Sequence, residues 1–535
     1  MLQNLLYKST LAIDQLTAPR ESHLYPSRLS HLHELKPFLS EEVDDTSLLF
    51  GESIYNRVLK ITPTDTQREL SHLMLIGRSR SGKGLCIETN LLTWPNSCIV
   101  NDIKGELYEK TAGYRSTLGD VFVFDPIGKG HRYNPLESKY TDSDLQSAAT
   151  TLLYRGNEGE NAIFTDSAIT MLTQIFHAAR LEGERLLPFT QKMIYRGLFA
   201  TATILQIVSL KHNVYPNLAT RFLDYEYSKE TINEIVKDKC LRSCWTTLTR
   251  RLNRVLTQES IRCFNGSDFT AKDIITSKKP ITLYLKWPER DIVAFSPLVH
   301  LVWESLMDEM IHTYDSLKGN GCYPVGDFLD EIATTGFPKL PQYSGTAAGR
   351  GITLFPAFQS TSQMDAAFGK SKAHEIRANM NTTIFYRPAK ADQETAEFIA
   401  KALGDKSGFA QSRTAYGRGE SIGESEQRVY VMTPDEIRRI GDEKIIVFPP
   451  GDTRAFLTRR LDHRRFPLLR QRIGIKPPEV LDLAPIPRSE TDAGEYAIEA
   501  FSSWRTDPTL LRHRNFVPAY IEAESSPPPD FDGWN

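Results

Sequence analysis

The hydrophobic pattern of residues 71–138 consists of short apolar runs that alternate with helix-compatible segments. Residues 73–76, 97–102 and 121–125 are nearly continuous apolar runs, and the last two end in an aspartate. Runs of this kind are typical of strands in a parallel sheet that is covered on both faces. The pattern therefore predicts the first part of an α/β domain over residues 71–138.

Strand signals stop after about residue 138 and do not return until about residue 270. Apolar residues in this region recur at helical spacing, first from Ala162 to Phe176 and again from Thr231 to Val255. This spacing predicts an all-α insertion over residues 139–270.

Sheet-like runs return in the second half of the chain. They are separated by a long helical segment near residues 295–317 and lie at residues 281–285, 323–329, 352–358, 382–386, 444–448 and 455–458. The order of elements predicts that residues 271–475 complete the α/β domain. The predicted fold class is a mostly parallel sheet flanked by helices, with the all-α domain inserted into it.

The two ends of the chain carry weaker signals. Residues 1–70 contain prolines and an acidic run but no sustained period, which predicts an irregular arm without a transmembrane helix. Residues 476–535 are rich in Pro, Glu and Ser, and this composition predicts an extended or disordered tail.

Composition narrows the class of protein. A hydrophobic content of 40% and a charged content of 24% are ordinary for a folded protein. The net charge of −3 argues against a uniformly basic nucleic-acid binder, but it leaves room for a local basic channel. The six cysteines form no C-x-x-C pair, which favours reduced thiols. The longest uncharged stretch, residues 197–210, has 14 residues and suits a core helix better than a membrane span.

A glycine-rich loop follows the first apolar run and precedes a helical segment. It comprises Gly77, Arg78, Ser79, Arg80, Ser81, Gly82, Lys83 and Gly84, with Leu85 next in the helix. Backbone N–H groups in such a loop surround phosphate, and the lysine reaches the β and γ oxygens. The order strand, loop, lysine, helix predicts an ATP site, the alternative being a glycine-rich turn that binds no ligand.

A second signal is the pair Asp330-Glu331, which closes an apolar run. An aspartate at the end of a strand is suited to hold Mg²⁺, and a glutamate beside it is suited to activate the attacking water. Alone, such a pair is more often the solvated start of a loop. The loop lacks the usual Ser or Thr after its lysine, since Gly84 stands there. Any Mg²⁺ therefore depends on phosphate oxygens, water and Asp330.

Two further residues are candidates for the same site. Gln359 follows the run at residues 352–358 and could sense the γ-phosphate, although an ordinary strand cap is an equal alternative. Arg350 lies between two glycines and could act as an arginine finger toward a neighbouring subunit. The alternative for Arg350 is a surface salt bridge.

These stretches together resemble the type IV secretion coupling proteins, the TraG/TraD-type conjugation ATPases. The resemblance runs from about residue 70 to 465 and includes, besides the glycine loop and the Asp-Glu pair, the sequences DIKGELY at 102–108, FDP at 124–126, RYNPL at 132–136, GRG at 349–351, AFQS at 357–360, AN at 378–379 and MTPDE at 432–436. A glycine after the loop lysine also occurs in this family.

The resemblance implies a RecA-like P-loop NTPase core that uses ATP and Mg²⁺ and assembles as a homo-hexamer. It implies Lys83 as the phosphate lysine, Asp330 as the metal residue, Glu331 as the water residue, Gln359 as the sensor and Arg350 as a finger. The implied partners are a relaxase, relaxosome or effector proteins, single-stranded DNA, and inner-membrane components of the secretion channel.

The implied location is the cytoplasmic face of the bacterial inner membrane. Family members usually begin with transmembrane helices, so the expected attachment of this chain is peripheral. Asp102 ends a neighbouring strand and is included among the nucleotide-binding candidates, because ligand sites collect at the carboxyl ends of parallel strands.

Contact with DNA is only hinted at in the sequence. Arg242, Trp245, Arg250, Arg251 and Arg254 lie on one helical stretch, for which a solvated helix face is the plainer interpretation. Arg459-Arg460 and Arg464-Arg465 are equally ambiguous. Two other functions stay open: a nucleotide-gated docking platform with little motor activity, and a cytosolic DNA pump of the FtsK/HerA type.

Overall fold

The computed structural model describes residues 10, 26–41, 43, 48–53, 57–61, 72–139, 141–153, 162–223, 238–416 and 419–484. Among them, the residues up to Tyr133 and those from Ser267 to Asp482 form one compact unit. The residues from Asn134 to Gly266 form a second.

The first unit is built on a sheet. Its strands, together with a separate hairpin, are β1 (Leu39–Ser40), β2 (Leu48–Glu52), β3 (Val58–Ile61), β4 (Leu73–Ile76), β5 (Ser97–Asn101), β6 (Asp120–Asp125), β7 (Lys129–Gly130), β8 (Ile281–Leu285), β9 (Val325–Leu329), β10 (Ile352–Phe358), β11 (Thr382–Tyr386), β12 (Asp405–Tyr416), β13 (Gly419–Tyr430), β14 (Lys444–Phe448) and β15 (Phe456–Arg459).

The described strands other than the hairpin form a 13-stranded sheet in the order β1-β3-β2-β15-β14-β11-β4-β10-β9-β5-β8-β6-β7. The central strands from β11 to β6 are parallel to their neighbours, and antiparallel strands flank them on both sides. The predicted α/β fold with a mostly parallel sheet is confirmed. The hairpin of β12 and β13 was not foreseen from the sequence.

Helices connect the strands and fill the second unit. In chain order they are α1 (Lys83–Leu91), α2 (Glu106–Leu118), α3 (Asp142–Leu153), α4 (Ala162–Leu181), α5 (Leu186–Lys211), α6 (Leu218–Leu223), α7 (Lys239–Leu252), α8 (Gln258–Phe264), α9 (Ala271–Thr276), α10 (Ile292–Leu317), α11 (Ile332–Thr335), α12 (Leu340–Thr346), α13 (Thr361–Phe368), α14 (Lys370–Asn379), α15 (Gln393–Leu403), α16 (Pro434–Arg439) and α17 (Pro467–Ile473).

The central strands are buried on both faces, as their apolar sequences require. Every residue of β4, β9 and β10 is buried. Phe328 and Phe355 are opposite each other in the parallel register of β9 and β10, and their rings stack with centroids 4.4 Å apart. Trp94 packs edge-on against both rings. This aromatic cluster fixes the strands whose carboxyl ends carry the candidate site.

The expectation of an irregular N-terminal arm is wrong for the residues that form β1, β2 and β3. These strands extend the sheet at the edge beyond β15. The Asn90 side chain of α1 anchors β2, since its amide donates to Leu49 O (2.8 Å) and its carbonyl accepts from Leu49 N (2.9 Å). Short edge strands of this kind lack the alternation that would reveal them. The predicted tail lies largely outside the described residues, which end at 484.

The described residues of the second unit form helices only, α3 to α8. By length and composition α5 is the one described helix that could cross a membrane, a weak indication because core helices have the same character. Gly197 interrupts α5 with φ 86° and ψ 173°. Met193, Leu205 and Val208 on either side of this break are buried, but Tyr195 is exposed, so the helix is only partly buried.

Candidate nucleotide site

The candidate site residues follow four adjacent strands. The strand order β4-β10-β9-β5 places Gly77, Gln359, Asp330 and Asp102 directly after neighbouring strands. Because these strands are parallel, their carboxyl ends meet at one edge of the sheet, where ligand sites of such sheets form. The structure thus brings together residues that lie more than 250 positions apart in the sequence.

The glycine loop starts in close contact with the neighbouring strands. Gly77 N donates a hydrogen bond to Phe358 O of β10 (3.1 Å). A Cβ at Gly77 would lie only 2.4 Å from Tyr386 Cβ. Further along, Arg80 and Gly82 adopt left-handed backbone conformations, with φ of 60° and 106°. Gly82 in this conformation begins α1 and turns the chain around the space where phosphate is expected.

Lys83 is folded back onto the loop. Its Nζ donates to Gly77 O (2.5 Å) and to Arg78 O (3.2 Å), and the residue is 8% exposed. Burial lowers the pKa of Lys83, while the charges of Asp330 and Glu331 oppose that shift. The two carbonyl oxygens accept hydrogen bonds from the ammonium group as phosphate oxygens would. Lys83 is therefore positioned for the role that the sequence predicts.

One polar atom of the loop is buried and has no partner among the described residues. Ser81 is 5% exposed, and its Oγ makes no hydrogen bond to any described residue. A buried hydroxyl without a partner costs free energy unless a ligand or water satisfies it. The loop is otherwise held in place, because Arg460 Nη1 donates to Ser81 O (2.8 Å) and Arg78 pairs with Asp442 (2.9 Å). These features fit a polyphosphate ligand.

Asp330 and Glu331 face Lys83 from the end of β9. Asn101 Nδ2 of β5 donates to Asp330 O (2.6 Å), and Asp330 Oδ1 accepts from Glu331 N (3.1 Å). Burial raises the pKa of Asp330 to about 6, the Glu331 charge adds to this shift, and Lys83 opposes it. Glu331 has φ 49° and ψ 36°, a left-handed conformation that is uncommon outside glycine and Asn. Lys104 Nζ lies 3.0 Å from Glu331 Oε1.

A cleft opens between the glycine loop and these carboxylates. Its lining includes Gly84, Glu88, Asp102, Lys104, Asp330 and Glu331. Carboxylate oxygens are the ligands that Mg²⁺ prefers, and Mg²⁺ commonly keeps several waters besides one or two of them. The cleft therefore offers carboxylate oxygens suited to Mg²⁺, those of Asp330 among them.

Asp102 lines the cleft but is already engaged. Its Oδ2 accepts a hydrogen bond from Tyr108 N (2.7 Å), and the residue is 3% exposed. Burial raises the pKa of Asp102, while hydrogen bonds from Tyr108, Leu107 and Gly105 backbone groups oppose this. Asp102 thus fixes the start of α2 and shapes the wall of the cleft. Its predicted contact with the nucleotide stays a prediction.

The two other candidates, Gln359 and Arg350, lie at opposite ends of strand β10. Gln359 directly follows β10, beside the start of the glycine loop, and its backbone N donates to Gln363 Oε1 (2.8 Å). Arg350 precedes β10, so the length of this strand, about 20 Å, separates it from the site of its own chain. Arg350 makes a bidentate pair with Asp315 (2.8 and 2.9 Å). The structure therefore does not bring Arg350 to this site.

The basic stretch in the second unit is partly structural. Arg242, Arg250 and Arg254 are exposed. The Trp245 ring, in contrast, packs edge-on against Phe222 (6.0 Å), and Arg251 donates to Leu153 O. Three exposed arginines thus remain as candidates for phosphate contact.

The other basic pairs are engaged within the first unit. Arg464 pairs with Asp462 (2.6 Å), and Arg465 pairs with Glu52 (2.7 Å). Arg459 lies 3.6 Å from Glu443, and Arg460 holds the glycine loop. Contacts within the protein therefore account for all four arginines, and no DNA contact is needed to explain them.

Sequence reasoning assigned no role to two side chains in the cleft. Lys104 lies in the DIKGELY stretch, where its spacing after Asp102 at a strand end could have singled it out. Glu88 lies four residues after Gly84 in α1, which places both on one face of the helix.

Comparison with known proteins agrees with the fold and the motifs. The sequence profile of the family described as Type IV secretory system Conjugative DNA transfer matches residues 37–459. The chain is 27% identical over 414 residues to the protein VirD4 of Rhizobium radiobacter, covering 72% of this chain and 56% of that protein. It is 24% identical over 412 residues to a conjugal transfer protein TraG of Escherichia coli, covering 70% and 62%. The chain thus spans little more than half the length of the first of these relatives.

Solved structures of similar architecture include those of the coupling protein TrwB. A trigonal form of TrwBdeltaN70 in complex with sulphate has a TM-score of 0.60 at 17% identity and covers 88% of this chain and 98% of its own. TrwB in complex with ADP and Mg²⁺ has a TM-score of 0.59 at 16% identity, with coverage of 86% and 95%. This similarity shows a shared RecA-like P-loop fold. Because the family profile matches well over half of the chain, the protein belongs to the type IV secretory system conjugative DNA transfer family.

Proposed function

We propose that this protein is a P-loop ATPase that acts as a coupling protein of a type IV secretion system. It binds ATP with Mg²⁺ at the glycine loop and uses hydrolysis to drive transfer of a substrate. The observation that carries this proposal is the convergence of Lys83, Asp330 and Glu331 at the carboxyl ends of nearby parallel strands, within a chain of this family. The names of the relatives support conjugal transfer, and TrwB has been solved with ADP and Mg²⁺ and with a non-hydrolysable ATP analogue.

Each residue has a definite part in the proposed reaction. Backbone N–H groups of the loop hold the phosphates, and Lys83 leaves the carbonyls of Gly77 and Arg78 to bind the β and γ oxygens. Asp330 would hold Mg²⁺, which supplies charge neutralisation at the phosphate oxygens. Glu331 orients the attacking water and accepts its proton. Gln359, beside the loop, reports on the γ-phosphate.

The assembly proposed for the protein is a homo-hexameric ring. Arg350 lies far from the site of its own chain and at the surface, which supports a role in the site of a neighbouring subunit. Loops that face the pore would grip the phosphate backbone of single-stranded DNA without reading its sequence. The exposed arginines on α7 and just after it, Arg242, Arg250 and Arg254, are candidates for a further phosphate contact.

The proposed partners follow from the family. They are a relaxase in its relaxosome, or effector proteins, together with inner-membrane components of the secretion channel. The proposed location is the cytoplasmic face of the bacterial inner membrane. A docking platform that binds ATP but turns it over slowly is the competing function, and a cytosolic DNA pump of the FtsK/HerA type is a third.

Turnover separates a motor from a platform. ATP hydrolysis by the purified full chain should rise on addition of single-stranded DNA, and Lys83→Ala or Glu331→Gln should abolish it. Electron microscopy of the same sample should reveal rings. ATP binding with little hydrolysis at any DNA concentration would favour the platform. A DNA-stimulated activity that survives Lys83→Ala would contradict the site assignment.

A further inference from the structure

Glu88 is a buried carboxylate on the helix that follows the glycine loop. It lies four residues after Gly84, on the same face of α1, and is 3% exposed. Glutamate is almost never buried to this extent unless its charge is compensated. The environment of Glu88 therefore calls for an explanation.

The Glu88 carboxylate reaches back to Gly84. Side chains of a helix lean toward its N-terminus, and a Cβ built on Gly84 would lie 4.0 Å from Glu88 Oε1, the nearest side-chain atom among the described residues. The carboxylate thus lies over the position from which a Ser or Thr hydroxyl would reach the metal. Both residues line the cleft that also contains Asp330.

The carboxylate is only half satisfied. Oε1 accepts a hydrogen bond from Lys110 Nζ (2.6 Å), and the Lys110 side chain is 40% exposed. Oε2 makes no hydrogen bond to any described residue. His463 Nδ1 lies 3.3 Å from Oε2 but without hydrogen-bond geometry, and it too lacks a partner in the described part of the chain.

Burial favours the neutral forms of both Glu88 and His463. It raises the pKa of Glu88, against the opposing effect of Lys110, and it lowers the pKa of His463. Hydrogen bonding to one lysine thus compensates Glu88 only in part. A cation in the cleft would complete the compensation.

On the basis of the proposed function, we infer that the Glu88 carboxylate supplies to the Mg²⁺ shell the oxygen that a hydroxyl at position 84 would otherwise supply. Asp330 and Glu88 would then approach the metal from two sides of the cleft, one from the end of β9 and one from α1. Lys110 holds the carboxylate when no nucleotide is bound and is exposed enough to move aside. The missing hydroxyl of the loop is thereby replaced within the same helix.

The alternative is a purely structural ion pair between Glu88 and Lys110. In that case the two residues are equivalent, and removing either has the same effect on the site. If Glu88 serves the metal, the two differ, because Lys110 competes with the metal for the carboxylate. This difference makes the inference testable.

The test measures how strongly Mg²⁺ tightens nucleotide binding. A fluorescent ADP analogue is titrated onto the full chain, once with EDTA and once with Mg²⁺. In the wild type Mg²⁺ should tighten binding. Glu88→Gln should reduce this gain roughly tenfold, the loss typical of residues that support a metal site, and leave the affinity in EDTA unchanged.

Three further variants separate the alternatives. Gly84→Ser in the Glu88→Gln background should restore the Mg²⁺ gain, since the open space at Gly84 admits a hydroxyl. Lys110→Gln should keep or increase the gain. Glu88→Asp keeps the charge but shortens the side chain, so it should lose much of the Mg²⁺ gain. Thermal melting reports whether each variant is folded, and Glu88→Asp replaces Glu88→Gln in the test if the latter does not fold.

Two outcomes would overturn the inference. One is a Mg²⁺ gain in Glu88→Gln or in folded Glu88→Asp equal to that of the wild type. The other is an equal loss in Lys110→Gln, which would indicate a structural pair. Failure of the wild type to bind the analogue, with or without Mg²⁺, would instead contradict the proposed function.

Discussion

Lys104 Nζ lies 3.0 Å from Glu331 Oε1 and joins the loop after β5 to the loop after β9. The two strands are neighbours in the sheet, so their carboxyl ends place these side chains together. Lys104 is 45% and Glu331 26% exposed. Partly exposed pairs of this kind contribute roughly 0–1 kcal/mol to stability. We therefore expect the pair to serve the position of Glu331 rather than the stability of the fold.

The first prediction concerns Lys104→Met. Loss of the ammonium group should leave Glu331 free to move from the orientation needed for water activation, and kcat for ATP hydrolysis should fall roughly ten- to hundredfold. The melting temperature and the affinity for ADP should change little. Steady-state kinetics and thermal melting check these expectations together.

Lys279 provides a matched control. It forms an exposed pair with Asp120 (2.8 Å) near the amino ends of β6 and β8, away from the nucleotide site. Lys279→Met should leave kcat unchanged. A kcat unaffected by Lys104→Met, or a melting temperature lowered enough to explain its fall, would contradict the positioning role.

The second prediction compares two glycines of the loop. Gly77→Ala forces a Cβ to within 2.4 Å of Tyr386 Cβ, so the loop or β11 must shift. Overpacking of this kind costs about 1–3 kcal/mol. The melting temperature should fall, and binding of the ADP analogue should weaken because the cradle is displaced.

Gly84→Ala tests whether this effect is specific to the crowded position. Its Cβ would meet no side chain of the described residues closer than 4.0 Å, and alanine is favoured over glycine in a helix by roughly 0.5–1 kcal/mol. Its melting temperature should stay equal to that of the wild type or rise. Equal destabilisation by the two substitutions would refute the steric account.

The strands at the centre of the sheet were predictable because each carries its own signal. The run that became β4 is continuously apolar, and those that became β10 and β11 are interrupted only by threonines, since both faces of a central parallel strand are buried. β2 and β3 form by pairing with each other and through a single register contact between β2 and β15. Their formation depends on partners that are distant in sequence, so local patterns did not reveal them.

In the candidate site, too, local motifs were predictable from the sequence and contacts between distant residues were not. Gly77 to Lys83 and the Asp330-Glu331 pair are local motifs, and the sequence was sufficient to name them. The contact of Lys104 with Glu331 joins residues 227 positions apart, and the hold of Arg460 on Ser81 joins residues 379 apart. Such contacts depend on strand order, which a single sequence does not determine. The pairing of Arg350 with Asp315 likewise required the structure.

The third prediction concerns Asp327, which lies in the centre of β9 and is fully buried. Neither of its carboxylate oxygens makes a hydrogen bond to a described residue. Burial raises the pKa of Asp327 well above its usual value, which favours the neutral carboxylic acid in the folded protein. An acid with a raised pKa in the folded state favours folding below its unfolded pKa of about 4, and that contribution is lost as the pH rises toward the folded pKa.

Asp327→Asn removes this titration and keeps the shape of the side chain. The urea midpoint of the wild type should fall relative to that of the variant as the pH rises from 5 to 8. The difference in the free energy of unfolding should grow by at most about 1.4 kcal/mol per pH unit. Parallel profiles for the two proteins over this range would show that Asp327 is not protonated in the fold.

The fourth prediction tests whether Arg350 acts on a neighbouring subunit. If it does, Arg350→Ala should lose ATP hydrolysis although every loop and carboxylate of its own site is intact. A mixture of Arg350→Ala and Lys83→Ala subunits should then regain activity, because an intact site can meet an intact arginine across the interface. Hydrolysis is measured for each variant alone and for equimolar mixtures.

Two controls test whether recovery in the mixture is specific to Arg350. Lys83→Ala mixed with Glu331→Gln should stay inactive, because both residues act within their own subunit and no complete site can form. Asp315→Asn, which releases Arg350 from its pair, should cost roughly 0–1 kcal/mol of stability and keep hydrolysis. Activity of Arg350→Ala alone, or no recovery in its mixture with Lys83→Ala, would leave Arg350 with only the salt bridge seen in the structure. Recovery would show that Arg350 acts across a subunit interface, since the strand that separates it from its own site prevents this role within one chain.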